Sequence, residues 1–177
     1  YPGERRVALT PAAVAALVKL GLEVNIQAGA GDLARYPDQA YADQGARILE
    51  SRDDIFAADI VVQVRCLGAN RDAGQADLER LSEGQVLIGT SDPLGSPESM
   101  QQIAARGVTH FALELIPRIT RAQGMDVLSS MATIAGYRAV LLGATALPKI
   151  FPLMMTAAGT LAAAKVFVIG AGVAGLQ

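Results

Sequence analysis

Near its C-terminal end the chain reads Val166-Phe167-Val168-Ile169-Gly170-Ala171-Gly172-Val173-Ala174-Gly175, an apolar run opening straight into glycines spaced G-x-G-x-x-G. The β-branched and aromatic residues predict a strand from Lys165 to Ile169. In that context the first glycine permits a tight turn and the second lets the backbone approach a pyrophosphate. The third lets the following helix pack closely on the strand. Free N–H groups at such a helix start, together with its dipole, suit phosphate. Gly170, Ala171, Gly172, Val173 and Gly175 are therefore candidate dinucleotide contacts. A tight strand–helix turn in any α/β domain has the same spacing, and the cluster alone leaves that alternative open. The acidic residue expected about 20 positions further on would lie beyond Gln177, so the motif does not distinguish NAD from NADP.

Upstream, short apolar runs alternate with helical stretches, the pattern of an α/β fold with largely parallel sheets. Thr10-Pro11 predicts a helix start, with Val14, Leu17, Val18 and Leu22 at near-helical spacing and Gly21 at its end. Strands are predicted at 23–27, 59–64, 85–89 and 108–113. Helices are predicted at 38–45, 77–81, 97–106 and, long and apolar, 127–147, where Pro148 and Pro152 break it. The run Ile60-Val61-Val62 fits a strand covered on both faces. Residues 116–126, with Pro117, two arginines and Gly124, show no apolar period and read as a loop. The expected organisation is one Rossmann-like or flavodoxin-like domain over 1–126. Residues 127–177 would supply a linking helix and the start of a second Rossmann-like domain, cut after its first strand. Tyr at position 1 and a stop inside the glycine motif read as a fragment.

Composition narrows the functions. Of 177 residues, 51% are hydrophobic and 18% charged, enough apolar material for a packed core. A formal net charge of −2 gives no electrostatic case for nucleic acid. With one cysteine (Cys66) and one histidine (His110), disulfide frameworks and Cys- or His-rich metal sites are excluded, and no metal is expected. The longest uncharged run, residues 150–164, is broken by Pro152 and Gly159 and falls short of the ~20 residues of a spanning helix. No signal peptide pattern opens the chain.

The loop reads Pro117-Arg118-Ile119-Thr120-Arg121-Ala122-Gln123-Gly124-Met125-Asp126 and runs on to Ser129. A nicotinamide carboxamide presents one acceptor oxygen and two donor hydrogens. Gln123, Asp126 and Ser129 can complement it, and Arg118 can fix Asp126 or the carboxamide oxygen. Equally, Asp126 can be a plain N-cap for the long helix, with Ser129 in its first turn and the arginines solvated.

Three stretches carry a resemblance over essentially the whole chain: GERRVALTPAAV (3–14), FALELIPRITRAQGMDVLSSMATIAGYRAV (111–140) and LPKIFPLMMTAAGTLAAAKVFVIGAGVAGLQ (147–177). With these the chain resembles the NAD(H)-binding component, the α subunit, of proton-translocating NAD(P)+ transhydrogenases, within the alanine dehydrogenase/transhydrogenase family. The central stretch is the specific one; the opening and the glycine motif are shared with alanine dehydrogenases. The resemblance implies hydride transfer between NAD(H) and NADP(H) coupled to proton movement across a membrane. NAD(H) would be held by this chain and NADP(H) by a partner domain or subunit. It further implies membrane-embedded partners, a homodimer, and a cytoplasmic, peripheral position on a bacterial inner membrane, or the matrix side in mitochondria.

On the same resemblance, Arg118, Gln123, Asp126 and Ser129 contact the nicotinamide end, with Gln123 and Asp126 closest to catalysis. Gly124 and Met125 complete the loop's contribution. The family's usual Arg-Ala-Gln-Ser-Met-Asp is here Arg-Ala-Gln-Gly-Met-Asp, so one side-chain contact is missing at Gly124. Alanine dehydrogenase is the alternative. In that family an arginine, a lysine and a histidine of the first domain act on the substrate; their positions fall on Arg6, Arg65 and near Asp92. Arginine keeps the charge but not the tunable pKa of lysine. Hydride exchange between two nicotinamides needs no protein acid or base, which suits a site without histidine. A dinucleotide-sensing module without turnover is the remaining alternative.

Overall fold

The computed structural model describes residues 1–177, in two compact units, Tyr1–Ile116 and Pro117–Gln177. In the first, helix α1 (Pro11–Lys19) starts where Thr10 is extended and its hydroxyl accepts from the Ala13 N–H at 3.3 Å. Strand β1 (Asn25–Gln27), helix α2 (Asp38–Ala42), strand β2 (Arg47–Leu49) and helix α3 (Arg52–Phe56) follow. β1 and β2 pair in parallel, with Ile26 opposite Ile48. Val14, Val24, Ile26, Tyr41 and Ala46 make a buried cluster, and the Tyr41 hydroxyl donates to the Leu9 carbonyl at 2.9 Å.

The other half of this unit is strand β3 (Ile60–Arg65), helix α4 (Arg71–Arg80), strand β4 (Val86–Thr90), helix α5 (Pro97–Ala105) and strand β5 (Thr109–Ala112). The three strands lie in the order β3-β4-β5, all parallel. Phe56, Val61, Cys66, Leu67, Leu78, Leu81, Leu87 and Ile103 form its core. Cys66 is buried here, and burial pushes its thiol up to about 12, so it is a packing residue and not a nucleophile. His110 is structural too. The Leu87 carbonyl, 3.1 Å from Nδ1, can only accept, so Nδ1 carries the proton. Ser91 then donates to Nε2 at 2.6 Å.

One polar network ties the two halves together. Arg52 on α3 holds the buried Asp77 of α4 by two hydrogen bonds of 2.6 Å, Nε to Oδ1 and Nη2 to Oδ2. Gln63 of β3 donates to the same carboxylate at 2.8 Å, and Arg52 Nη1 also donates to Gln27 Oε1 on β1. A carboxylate taken out of water needs this full set of donors.

In the second unit a 3₁₀ turn (Thr120–Met125) leads into α6 (Val127–Ala146), a hairpin of β6 (Met154–Thr156) and β7 (Gly159–Leu161), and a final helix α7 (Val173–Leu176). α6 has 20 residues and a mean hydropathy of 1.4 over its most apolar stretch, long and apolar enough to cross a membrane. A search for uncharged runs misses this because Arg138 interrupts the helix; an arginine at mid-helix costs about 2.5–3.5 kcal/mol in a bilayer.

Several elements differ from expectation. Helix α4 begins at Arg71, six residues before the predicted start, because its first turns are polar and show no apolar period. The stretch read as a loop contains the 3₁₀ turn. β2, α3 and the antiparallel β6–β7 hairpin are too short to show a period. Lys165–Ile169 joins no ladder, and Phe167 and Ile169 are about 90% exposed. A parallel strand requires a neighbour, and none of the 177 residues supplies one there.

Candidate functional site

The loop of residues 117–126, which forms the connector to α6, and the glycine turn of residues 170–175 both belong to the second unit. At the start of α6, Asp126 is extended and caps the helix: its Oδ1 accepts from the Leu128 and Ser129 N–H groups, each at 3.0 Å. The Ser129 hydroxyl donates to Oδ2 at 2.6 Å. These bonds hold the Asp126 carboxyl below the usual carboxylate range, Ser129 first, with the Arg118 charge adding to the effect. The capping role raised from the sequence is thus present, and it sets the chemistry left over. With its proton committed to Asp126, Ser129 offers only lone pairs, as does the ionised Asp126 itself. Gln123, Arg118 and Met125 stand exposed on the same connector. Acceptors at the helix start and amide and guanidinium donors beside it complement a primary carboxamide. Gly124 has ordinary backbone φ, and a Cβ at this position would meet nothing within 4 Å, so a serine fits there without strain.

The three motif glycines differ in conformation and surroundings. Gly170 has φ +102°, a left-handed turn. Around Gly172 there is open space, so another molecule can approach the backbone. A Cβ on Gly175 would meet the Gly170 carbonyl oxygen at 2.1 Å, which closes the turn on itself. Val173 begins α7, and Ala171 lies between the first two glycines. α6 packs against α7 at Gly136, its one buried residue.

The first unit has its own cavity, about 640 Å³, lined by Arg6, Arg65, Arg71, Asp92 and Glu114 among others. Glu4 accepts from Arg6 Nε and Nη2 at 2.7 and 2.6 Å and from Arg65 Nε at 2.8 Å. Both arginines hold its carboxyl well below the usual range, Arg6 first. Glu114 accepts from the Ser91 and Asp92 N–H groups and so fixes Asp92, whose φ is +50°. Neither lysine nor histidine lines this cavity. Sequence reasoning picks out Arg6, Arg65 and Asp92; it misses Arg71 and Glu114, which no motif spacing marks. It also passes over Gly136, although an isolated glycine within an apolar helix is the available signal for close packing.

A parallel α/β unit followed by a unit that carries the G-x-G-x-x-G spacing defines a two-unit α/β protein. Residues 1–135 match the family described as alanine dehydrogenase/PNT, N-terminal domain, and residues 139–177 match its C-terminal domain. The chain belongs to the alanine dehydrogenase/PNT family. It is 47% identical over 177 residues to NAD(P) transhydrogenase subunit alpha of Cereibacter sphaeroides, covering 99% of this chain and 33% of that protein. The crystal structure of transhydrogenase from Sinorhizobium meliloti aligns with a TM-score of 0.90 at 46% identity, covering 99% of this chain and 51% of that one. Alanine dehydrogenase of Mycolicibacterium smegmatis is more distant, 31% identical over 97% of this chain and 45% of that protein. The chain spans about a third to a half of the length of these relatives.

Proposed function

We propose that this chain is the NAD(H)-binding part of a transhydrogenase, in which hydride passes between NADH and NADP+ in step with proton movement across a membrane. The observation that carries this reading is the connector. Its capped Asp126 and Ser129 present lone pairs beside the donors of Gln123 and Arg118, a set that fits a nicotinamide carboxamide. Gly170, Ala171, Gly172, Val173 and Gly175 would hold the pyrophosphate, with the open backbone at Gly172 as the point of approach. The nicotinamide supplies the hydride, which leaves its C4 with both electrons, so no proton need move to a protein group. The work left to Arg118, Gln123, Asp126 and Ser129 is to orient the ring and keep water from it. On this reading NADP(H) and the proton path belong to partner domains or subunits. The working form is a homodimer, peripheral on the cytoplasmic face of a membrane in bacteria. The greater identity to transhydrogenase than to alanine dehydrogenase supports it, as does a first-unit cavity without lysine or histidine.

The test is a titration of the whole natural polypeptide with NADH, followed by mixing with an NADP(H)-binding partner. Saturable NADH binding and hydride exchange are expected. Binding without exchange would point to a sensor, and NADH oxidation dependent on pyruvate and ammonia would point to alanine dehydrogenase.

A further inference from the structure

The contact between α6 and α7 has a feature that neither the glycine motif nor the family likeness assigns. A Cβ built on Gly136 would lie 2.2 Å from the Ala174 carbonyl oxygen and 3.1 Å from its Cα. Backbone, not a flexible side chain, stands in the way, so any larger residue must push the two helices apart. Gly143, two turns further along α6, is different: a Cβ there would meet only Phe151 Cζ, at 3.8 Å, an ordinary contact. Glycine inside a helix is less stable than alanine, which the close approach at Gly136 offsets.

Gly136 stands ten residues after Asp126, the cap that anchors the connector. At 1.5 Å per residue this is about 15 Å along a single unbroken helix. One end of that span carries the connector; the other is seated on the helix that follows the glycine turn. We infer that α6 is a rigid spacer fixing the separation of the connector and the glycine turn, and that Gly136 is the positioning residue that seats it. The inference rests on the proposed function, in which one dinucleotide engages both ends. Gly136 touches no ligand itself; it sets where the turn stands relative to the ring-binding groups. A ligand held at both ends feels a change in that spacing, whereas a ligand held only by the turn does not.

The test compares NADH with ADP-ribose, which carries the pyrophosphate but no nicotinamide, on the whole polypeptide by calorimetry. Gly136→Ala is expected to weaken NADH by about tenfold or more, equivalent to about 1.4 kcal/mol, with ADP-ribose changed by no more than about threefold. Gly143→Ala should bind both as the parent does. Equal affinities of parent and Gly136→Ala for NADH would overturn the inference, and so would equal weakening of both ligands, which would make Gly136 a local support of the turn. Failure of the parent to bind either ligand would sink the functional reading and the spacer with it. Hydrogen exchange on the parent covers the case in which Gly136→Ala does not fold. NADH should slow exchange over Val127–Gly136 as well as at the turn, and ADP-ribose at the turn alone; identical patterns would contradict the spacer.

Discussion

Replacing Gln123 and Asp126 together with alanine is expected to lower hydride exchange by about 100-fold or more, the scale on which a mispositioned reacting group loses rate. The variant loses the connector's amide donor and its carboxylate acceptor. It also frees the Ser129 hydroxyl, which then turns its proton outward and stops being a pure acceptor. The fold should survive. The lost cap bonds are the Asp126 contacts to the Leu128 and Ser129 N–H groups, at an exposed helix start where water can take their place. Stopped-flow exchange at saturating NADH, read beside circular dichroism of the same sample, separates the two effects. Unchanged exchange in a folded variant would refute the role given to the connector.

The largest stability effect is expected in the first unit. Asp77→Ala should destabilise the first unit by about 3 kcal/mol, the low end of what breaking a buried pair costs. It leaves the Arg52 guanidinium without its bidentate partner and Gln63 without an acceptor. The low end applies because the Arg52 side chain is 38% exposed while that of Asp77 is 8% exposed, so water partly solvates the stranded arginine. Thermal melting should show a drop of roughly 10 °C. A drop as small as that of an exposed pair such as Arg47–Glu23, whose side chains are 71% and 75% exposed, would contradict the network's role.

What can be read from the chain itself follows from how each signal arises. The β3 run Ile60-Val61-Val62, the Thr10-Pro11 start of α1 and the Asp126 start of α6 are local: a few adjacent residues fix them and each forms where expected, although β3 is an edge strand and Ile60 is exposed, so the run is not covered on both faces. α4 is longer than its sequence suggests because its first turns are polar and gain stability from tertiary contacts, among them the donation of Arg71 Nη2 to the Ser96 hydroxyl oxygen. Lys165–Ile169 has the composition of a strand, yet a ladder needs a neighbour, and composition carries no information about one.

The same division runs through the site. The glycine spacing and the connector are legible because their chemistry is written in consecutive residues. The Glu4–Arg6–Arg65 cluster, the clamp of Glu114 on Asp92 and the seating of Gly136 on Ala174 join residues distant in sequence, and only folding brings them together. Ser129 falls between these cases. Its place in the first turn of α6 is readable, but its donation to Asp126, which on the proposed function leaves it to accept from the carboxamide, requires the geometry.

The most direct measurement is a crystal structure of the whole polypeptide with NADH bound. The account predicts the nicotinamide carboxamide within hydrogen-bond distance of Asp126 and Ser129, its oxygen toward Gln123 or Arg118, and the pyrophosphate at Gly172. A ring lodged in the first unit's cavity beside Arg6 and Arg65, or an amino acid bound there with the connector empty, would contradict it.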